Sequence, residues 1–292
     1  MGKAIYNLEV MRKSETIYEV LGDNANKEAL NWLKERTDKL EISKSARDLF
    51  MTYSLLASKF DKKLVVNYSD ATNETSCYFK SHGADVLQMS RIYLLTKVLE
   101  VNPEFYTQEV AKIIEVADTT ELETFLRYLT ILPQSESFKY SAVEALRTNI
   151  SIIFDAITLN NPYPALFFND QQWNQMYLKA AFMERDLGMI ESVDERANAD
   201  LTRIISDYAH ERWAASRTID PMFWRPVSKF MDDTLLLDMK RLLTSENPIE
   251  NKAGALCCYF SEDDSALALL EQYTELKQQI ASHKITWNTL KN

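Results

Sequence analysis

Residues 245–273, SENPIENKAGALCCYFSEDDSALALLEQY, carry the clearest fold signal in the chain. Asn247 stands before Pro248, so a side chain that can cap a helix precedes the residue best tolerated in a first helical turn. An apolar run rich in alanine follows, and a leucine-rich run begins after an acidic turn at residues 261–264. The stretch therefore predicts two short helices that pack against each other.

Helical periodicity of the same kind covers most of the chain, and no strand pattern interrupts it. Further candidate caps stand at Asn102 before Pro103, at Ser135 and at Asn169. The predicted helices span residues 26–41, 43–60, 84–100, 103–117, 120–131, 136–148, 169–184, 198–217, 232–244, 248–260 and 263–281. Short connections between such helices predict an all-α fold, a helical array resembling a HEAT/armadillo-type α-α superhelix, although the chain has no exact sequence period.

The least patterned stretch lies at residues 60–82, FDKKLVVNYSDATNETSCYFKSH. It predicts a long loop that could hold a short strand or hairpin. We expect a single all-helical domain over residues 1–292, with an N-terminal helical piece at 1–60, a loop at 61–82 and the main helical-repeat body at 83–292.

The composition argues against several classes of partner and cofactor. Forty-three acidic and 33 basic residues leave a formal charge of −10, which disfavours nucleic acid and anionic lipid as partners. The five glycines are far apart, so neither a P-loop nor a dinucleotide-binding fingerprint is present. Three histidines are too few for a multi-histidine metal centre, so we expect no metal and no cofactor.

The same reading bears on location and on the cysteines. The first 20 residues lack the apolar stretch of a secretory signal, and nothing later approaches the roughly 20 apolar residues that span a bilayer. We therefore expect a cytoplasmic protein. Its three cysteines form no disulfide framework, and the adjacent Cys257 and Cys258 are expected to be buried, reduced thiols.

The segment YAHERWAASR, residues 208–217, is the densest polar cluster. On a helical wheel Arg212 falls within the apolar face, so its guanidinium either pairs with a buried acid or points into an anion-binding cavity. The internal pair is the preferred interpretation, and the candidate acids are Asp170, Glu184 and Asp194. Under it, Arg212→Ala would cost several kcal/mol.

The histidine in this segment points elsewhere. His210 falls on the opposite, polar face, and no recognisable nucleophile accompanies it, so a bracing or surface role is favoured over that of a general base. Its substitution would then change stability little. The segment also fails the zinc pattern H-E-x-x-H, because Ala214 stands where the second histidine must be.

Two neighbouring segments are equally rich in aromatic and polar residues. Asn169 is expected to cap a central helix in which Asn174 lies among apolar neighbours and must find a partner in the backbone, in Arg212 or in a ligand. In IDPMFWRPV, Asp220 is expected to cap a turn whose Trp224 and following arginine either seal a corner or line a pocket.

Five motifs lie in order over residues 161–227: NPYPALFFN, WNQMYLKAAF, DERANADL, YAHERWAASR and DPMFWRPV. Together they resemble the EboA-domain family of bacterial proteins, although Ser192-Val193 stands where that pattern has Gly-Leu. The resemblance implies a place in a gene cluster with a prenyltransferase-like membrane protein, a metal-dependent hydrolase, a cyclase-like enzyme and sugar-phosphate isomerase or phosphatase relatives. Such clusters make, modify or export precursors of secondary metabolites, and the resemblance assigns no reaction to this component.

The motifs and the helical wheel define one set of candidate binding or structural residues. Its members are Asn161, Tyr163, Asn169, Trp173, Asn174, Lys179, Arg196, Asn198, Asp207, His210, Glu211, Arg212, Trp213, Arg217, Trp224 and Arg225.

Two functions are considered for this set, and the first is preferred because the chain lacks every standard catalytic motif. The first is a non-catalytic helical-repeat adaptor that binds other proteins of the same gene cluster, among them the prenyltransferase-like membrane protein. The second is a protein that binds, or an unusual enzyme that acts on, an aromatic, prenylated or phosphorylated metabolite. A cavity shared by Asn174, Arg212, His210 and Trp213 or Trp224 would favour the second, and pairing of every polar group would favour the first.

Overall fold

Helices supply the regular secondary structure of this protein. The computed structural model describes residues 12–62, 64, 66–68 and 73–290, and within them it contains seventeen α-helices and no β-strand. The all-α prediction is confirmed, whereas the superhelical arrangement stays a prediction. The chain divides into two compact units, one up to Ile157 and one from Thr158.

In the first unit a buried helix is surrounded by the others. Helices α1, α2, α6 and α8 all pack against α5, in which most residues are buried and apolar side chains are spread around the helix. The helices of this unit are α1 (Lys13–Asn24), α2 (Lys27–Ser43), α3 (Ala46–Leu55), α4 (Glu74–Ser81), α5 (Val86–Val101), α6 (Pro103–Ala111), α7 (Ile113–Val116), α8 (Thr119–Arg127), α9 (Lys139–Ala145) and α10 (Ser151–Thr158).

The interior of this unit holds a buried arginine. Arg91 of α5 donates to the carbonyl oxygen of Thr120 at 3.1 Å, and its Nη2 lies 3.8 Å from Oε1 of the buried Glu121. Its guanidinium also lies 5.5 Å from the ring centroid of Tyr53, whose pKa is raised by burial. Arg91 therefore links α5 to α3 and α8, and sequence reasoning missed it.

In the second unit, helix α15 packs against α14, α16, α17 and a 3₁₀ helix at Pro221–Phe230. The helix pair predicted for residues 245–273 is confirmed as α15 and α16. The helices of this unit are α11 (Tyr163–Phe167), α12 (Asp170–Phe182), α13 (Ala199–Ala214), α14 (Asp233–Leu243), α15 (Pro248–Tyr259), α16 (Asp264–Glu271) and α17 (Thr274–Ala281).

Several helices were missed or merged at the sequence level. The missed ones are α1, α10, α11 and α4, and the last of these lies inside the segment 60–82 that the sequence predicts as a loop. They have 5 to 12 residues, and helices so short depend on tertiary packing more than on propensity. The predicted helices 103–117 and 263–281 are each interrupted by a turn.

Most predicted caps are present. The side chains of Asn102, Asn169, Asn247 and Asp220 each accept a hydrogen bond from a backbone N–H in the first turn that follows. Ser135 was wrong as a cap, because it lies inside a short 3₁₀ helix, Ser135–Phe138, which has no side-chain cap. Polar caps therefore set most of these helix starts.

The adjacent thiols in α15 are buried as predicted. Cys257 donates from Sγ to the carbonyl oxygen of Trp224 at 3.3 Å, which ties α15 to the 3₁₀ helix. Burial raises the pKa of Cys257 well above its usual range and that of Cys258 to about 12. Both thiols are protonated at neutral pH, which leaves them poor nucleophiles and poor metal ligands.

One glycine allows α14 and α15 to pack closely. A Cβ atom at Gly254 would lie 2.9 Å from Cβ of Leu242, whereas a Cβ at Gly22 in α1 would meet nothing within 4 Å. Because this neighbouring atom is the first carbon of the Leu242 side chain, it cannot move away unless the backbone of Leu242 moves with it.

We predict that Gly254→Ala lowers the free energy of unfolding by about 1–3 kcal/mol through overpacking. The matched change Gly22→Ala should raise it by up to about 1 kcal/mol, because alanine favours a helix and no clash opposes it. Urea titrations followed by circular dichroism measure both. Equal effects of the two substitutions would show that the close approach of α14 and α15 is not real.

Candidate functional site

The guanidinium of Arg196 anchors the first cluster of predicted residues. It donates to the carbonyl oxygens of Pro164, Ala165 and Phe168 at 3.1, 2.7 and 2.9 Å. Helix α11 ends at this point, where backbone carbonyls run out of partners within the helix, although the carbonyl of Pro164 also accepts from the N–H of Phe168 at 3.0 Å. The guanidinium also lies 4.9 Å from the ring centroid of the buried Trp173 in α12. Arg196 thus closes the end of α11 and fixes it to α12.

A reciprocal pair of amides stands beside this guanidinium. Nδ2 of Asn174 donates to Oδ1 of Asn198 at 3.0 Å, and Nδ2 of Asn198 donates to Oδ1 of Asn174 at 2.9 Å. Asn198 also caps α13 by accepting from the N–H of Leu201. Asn174 is only 4% exposed, so the partner that its burial requires is supplied by the protein itself.

The turn before α11 uses two more of the predicted residues. Asn161 is buried, and its Oδ1 accepts from the N–H of Tyr163 at 2.9 Å. The ring of Tyr163 is fully buried and packs against Phe167 at a centroid distance of 4.6 Å. Both side chains therefore set the direction in which α11 begins, and α12 is capped in turn by Asn169.

Two stacked tryptophans form the second cluster. The ring of Trp213, near the end of α13, lies 5.6 Å from that of the buried Trp224 with an interplanar angle of 23°. Arg241 of α14 covers Trp213 from a distance of 4.1 Å. The hydroxyl of Tyr177 in α12 donates to the carbonyl oxygen of Met222 at 3.2 Å. The 3₁₀ helix is thereby contacted directly by α12 and α13, and α14 reaches it through Trp213. Trp224 is buried and seals this corner, whereas the following Arg225 lines a cavity.

His210 extends this cluster through a buried carboxylate. Oδ1 of Asp238 in α14 lies 2.6 Å from Nε2 of His210, and Oδ2 accepts from the hydroxyl of Ser206 at 2.7 Å. The carboxylate of Asp238 is 4% exposed, while the imidazole is 48% exposed.

The arrangement of these three side chains differs from that of a catalytic triad. In a triad the imidazole lies between the hydroxyl and the acid, so that it can take the hydroxyl proton. Here the carboxylate of Asp238 lies between Ser206 and His210, so the hydroxyl donates to the carboxylate and not to the imidazole. The geometry braces α13 against α14. Sequence reasoning missed Asp238, although an acid between Leu235 and Leu242 on the apolar stripe of α14 was a readable signal.

The third cluster is an ion pair between the 3₁₀ helix and the loop before α13. Nε and Nη2 of Arg225 donate to Oδ1 and Oδ2 of Asp194 at 2.9 and 2.6 Å. The hydrogen bonds that Arg225 donates to this carboxylate raise the pKa of the guanidinium. Nζ of Lys229 donates to the backbone oxygen of Asp194 at 3.1 Å. Arg225 and Asp194 thus form a bidentate pair, the geometry in which arginine and carboxylate bind most specifically.

The prediction that Arg212 pairs with a buried acid was wrong. Its Nε and Nη2 both donate to the carbonyl oxygen of Thr218, at 3.1 and 2.7 Å, just beyond the end of α13. Two of the candidate acids are paired elsewhere, Asp170 with Arg196 and Asp194 with Arg225. Because Arg212 lies in the last turn of its helix, the segment that follows the helix brings a backbone carbonyl within its reach.

A cavity of about 350 Å³ opens beside Arg212. Its polar lining comes from Arg212, Arg185, Glu184 and Asp220, and Tyr208 and Phe223 supply aromatic walls. Burial raises the pKa of Asp220. Two cationic and two acidic residues line this space, so it has no marked preference for an anion.

The remaining predicted residues do not join a cluster. Asp207 is exposed and lies 3.5 Å from Arg203, one turn away on the same helix. Glu211 and Arg217 are also exposed. Lys179 is half-buried, and burial lowers its pKa. The structure therefore brings together eleven of the sixteen around Arg196, around the stacked tryptophans or in the Asp194 pair: Asn161, Tyr163, Asn169, Trp173, Asn174, Arg196, Asn198, His210, Trp213, Trp224 and Arg225.

The described residues also bear on metal binding and on membrane insertion. Within residues 12–62, 64, 66–68 and 73–290, no group of three or more His, Cys, Asp or Glu side chains is placed to hold a metal ion. In that same part of the chain, no helix combines the length and hydrophobicity that crossing a bilayer requires.

Comparison with known proteins gives one match. Residues 13–228 match the profile of the family described as "Metabolite traffic protein EboA". No curated protein and no solved structure matches the chain. The matched range contains all sixteen candidate residues, whereas Asp238 and Arg241 lie beyond it.

The structure reverses the stability order expected for two substitutions in α13. We predict that His210→Ala costs about 1–2 kcal/mol, because it removes one of two partners of a buried carboxylate. Arg212→Ala should cost about 1 kcal/mol or less, since water can reach the half-exposed carbonyl of Thr218. Urea denaturation measures both, with His210→Gln as a control that can keep the N–H donor. A larger loss in Arg212→Ala than in His210→Ala would contradict these assignments.

Proposed function

The chain belongs to the EboA family, described by its profile as metabolite traffic proteins, and we propose that it is a non-catalytic accessory protein of a metabolite pathway. In this role it acts as an adaptor that holds other proteins of the pathway. We place it in the cytoplasm, with a HEAT-type helical array as its binding scaffold.

The observation that carries this proposal is the pairing of the signature side chains within the chain. Asn174 is paired with Asn198, Arg196 with three backbone carbonyls, and Arg225 with Asp194. An enzyme keeps acids, bases and hydrogen-bond donors directed at its substrate. Paired side chains of this kind instead fix one arrangement of the helices, and among the candidate residues Nε1 of the buried Trp173 and Nη1 of Arg225 are donors left without a hydrogen bond in the described part of the chain.

The cavity beside Arg212 supports the same choice. Of the side chains that would enclose a ligand under the alternative hypothesis, only Arg212 lines this cavity. Asn174 and His210 have partners elsewhere in the protein. Asn174, His210 and Arg212 therefore do not form the shared pocket that is expected for an enzyme acting on an aromatic or phosphorylated metabolite.

The charge of the chain indicates the kind of partner. A formal charge of −10 repels nucleic acid and anionic lipid and attracts basic protein surfaces. The partners that we propose are the products of neighbouring genes, among them the prenyltransferase-like membrane protein. A basic cytoplasmic surface on that protein would fit this chain.

Co-purification tests the adaptor role. We predict that the tagged chain, co-expressed with each neighbouring gene product, forms a complex of fixed stoichiometry with at least one of them, measured by light scattering after size-exclusion chromatography. Because the attraction is electrostatic, affinity should fall at least about tenfold between 0.05 and 0.5 M salt. An unrelated basic protein such as lysozyme serves as the control for non-specific attraction.

Two results would contradict the proposal. One is the absence of a complex with every neighbouring product at micromolar concentrations. The other is turnover of a pathway metabolite by the purified chain alone, since an adaptor carries no reaction of its own.

A further inference from the structure

A second cavity lies next to the ion pair of Arg225 and Asp194, and we name it the Arg225 cavity. It encloses about 250 Å³, and its apolar walls include Pro226, Phe260 and Trp287. Trp287 is 8% exposed and forms an inner wall, whereas Phe260 is 54% exposed. An exposed aromatic side chain on the edge of an apolar cavity is available for contact with a flat ring.

Donors remain unused where this cavity meets the ion pair. Arg225 engages Asp194 through Nε and Nη2, and its Nη1 makes no hydrogen bond within the part of the chain that the structure describes. Lys229 makes a single hydrogen bond, to the backbone oxygen of Asp194, although an ammonium group carries three protons. Two cations and one carboxylate leave a local charge of about +1.

From these groups we infer that the Arg225 cavity binds a small planar aromatic molecule that carries one anionic group. The ring lies against Phe260 and Trp287, and the anion accepts hydrogen bonds from Arg225 and Lys229. This inference goes beyond the adaptor role, which needs no small-molecule site. The two proposals therefore stand or fall separately.

Size and charge exclude other ligand classes. A volume of about 250 Å³ is at the lower end of ligand pockets, which suits one or two fused rings and not a nucleotide or a long prenyl chain. A cationic ligand would meet the net positive charge of the rim. A wholly apolar ligand would leave the donors of Arg225 and Lys229 without an acceptor.

The cavity beside Arg212 is a weaker candidate for the same ligand. Glu184 and Asp220 offset Arg185 and Arg212 there, so the local charge favours no anion. It nevertheless offers a competing location that an experiment must separate from the Arg225 cavity.

Calorimetric titration of the full chain with 2-naphthoate tests the inference. We expect a Kd below about 1 mM for this two-ring carboxylate and at least about fivefold weaker binding of the neutral 2-naphthalenemethanol. Phe260→Ala removes a wall and should weaken naphthoate binding at least about fivefold. Lys229→Gln keeps a hydrogen-bond donor but loses the charge, and should weaken it at least about threefold.

Matched variants control for effects outside the cavity. Phe182→Ala removes another exposed phenylalanine and Lys240→Gln another exposed lysine, and both should bind as the wild type does. Circular dichroism verifies that every variant is folded. If Phe260→Ala does not fold, the effect of the surface substitution Lys229→Gln on naphthoate binding tests the inference by itself. No binding at 5 mM, equal binding of the neutral analogue, or a loss confined to Arg212→Gln would each overturn the inference.

Discussion

The second unit depends on one guanidinium that satisfies the carbonyl end of a very short helix. Helix α11 has five residues, too few to be stable in isolation, and Arg196 supplies donors to three carbonyls where it ends. The same side chain lies over Trp173 and so positions α12. Two residues later Asn198 pairs with Asn174 and caps α13. The start and direction of α13 therefore follow from the position of Arg196.

Helix α13 connects this cluster to the rest of the unit through its contacts with α14 and the 3₁₀ helix. His210 reaches the buried carboxylate of Asp238 in α14, and Trp213 stacks on Trp224 of the 3₁₀ helix. That segment is fixed in turn by Arg225 and by the thiol of Cys257. Polar side chains that resemble an active site in the sequence are thus engaged in holding helices together, and an accessory role follows more naturally from such a structure than a catalytic one. Unused donors of Arg225 and Lys229 lie at the edge of the Arg225 cavity.

The sequence predicted the parts of this structure that depend on local physics. Asn102, Asn169 and Asn247 cap helices because a short polar side chain before a first turn has few other uses. The helix pair in residues 245–273 and the need of Asn174 for a buried partner were also readable. The partners of the polar side chains could not be predicted, because a helical wheel gives the direction of a side chain and not the residues that pack on it. Arg212 points toward the apolar side, but its helix ends two residues later, at Ala214, and a carbonyl takes the place of an acid. Arg91 is buried near an acid, in a helix whose apolar residues are spread around it, so that no polar face or apolar stripe in the sequence marks this position.

The central claim is that the signature side chains brace the fold, and the free energy of unfolding of Arg196 variants tests it most directly. Arg196→Ala should lose about 3 kcal/mol or more, because two carbonyls and a tryptophan face lose their partner and a third carbonyl loses one of its two. Arg196→Lys should recover only part of that loss, since an ammonium group cannot reproduce the planar fork. An Arg196→Ala protein that unfolds within about 0.5 kcal/mol of the wild type would contradict the account, because surface substitutions without structural roles have effects of that size.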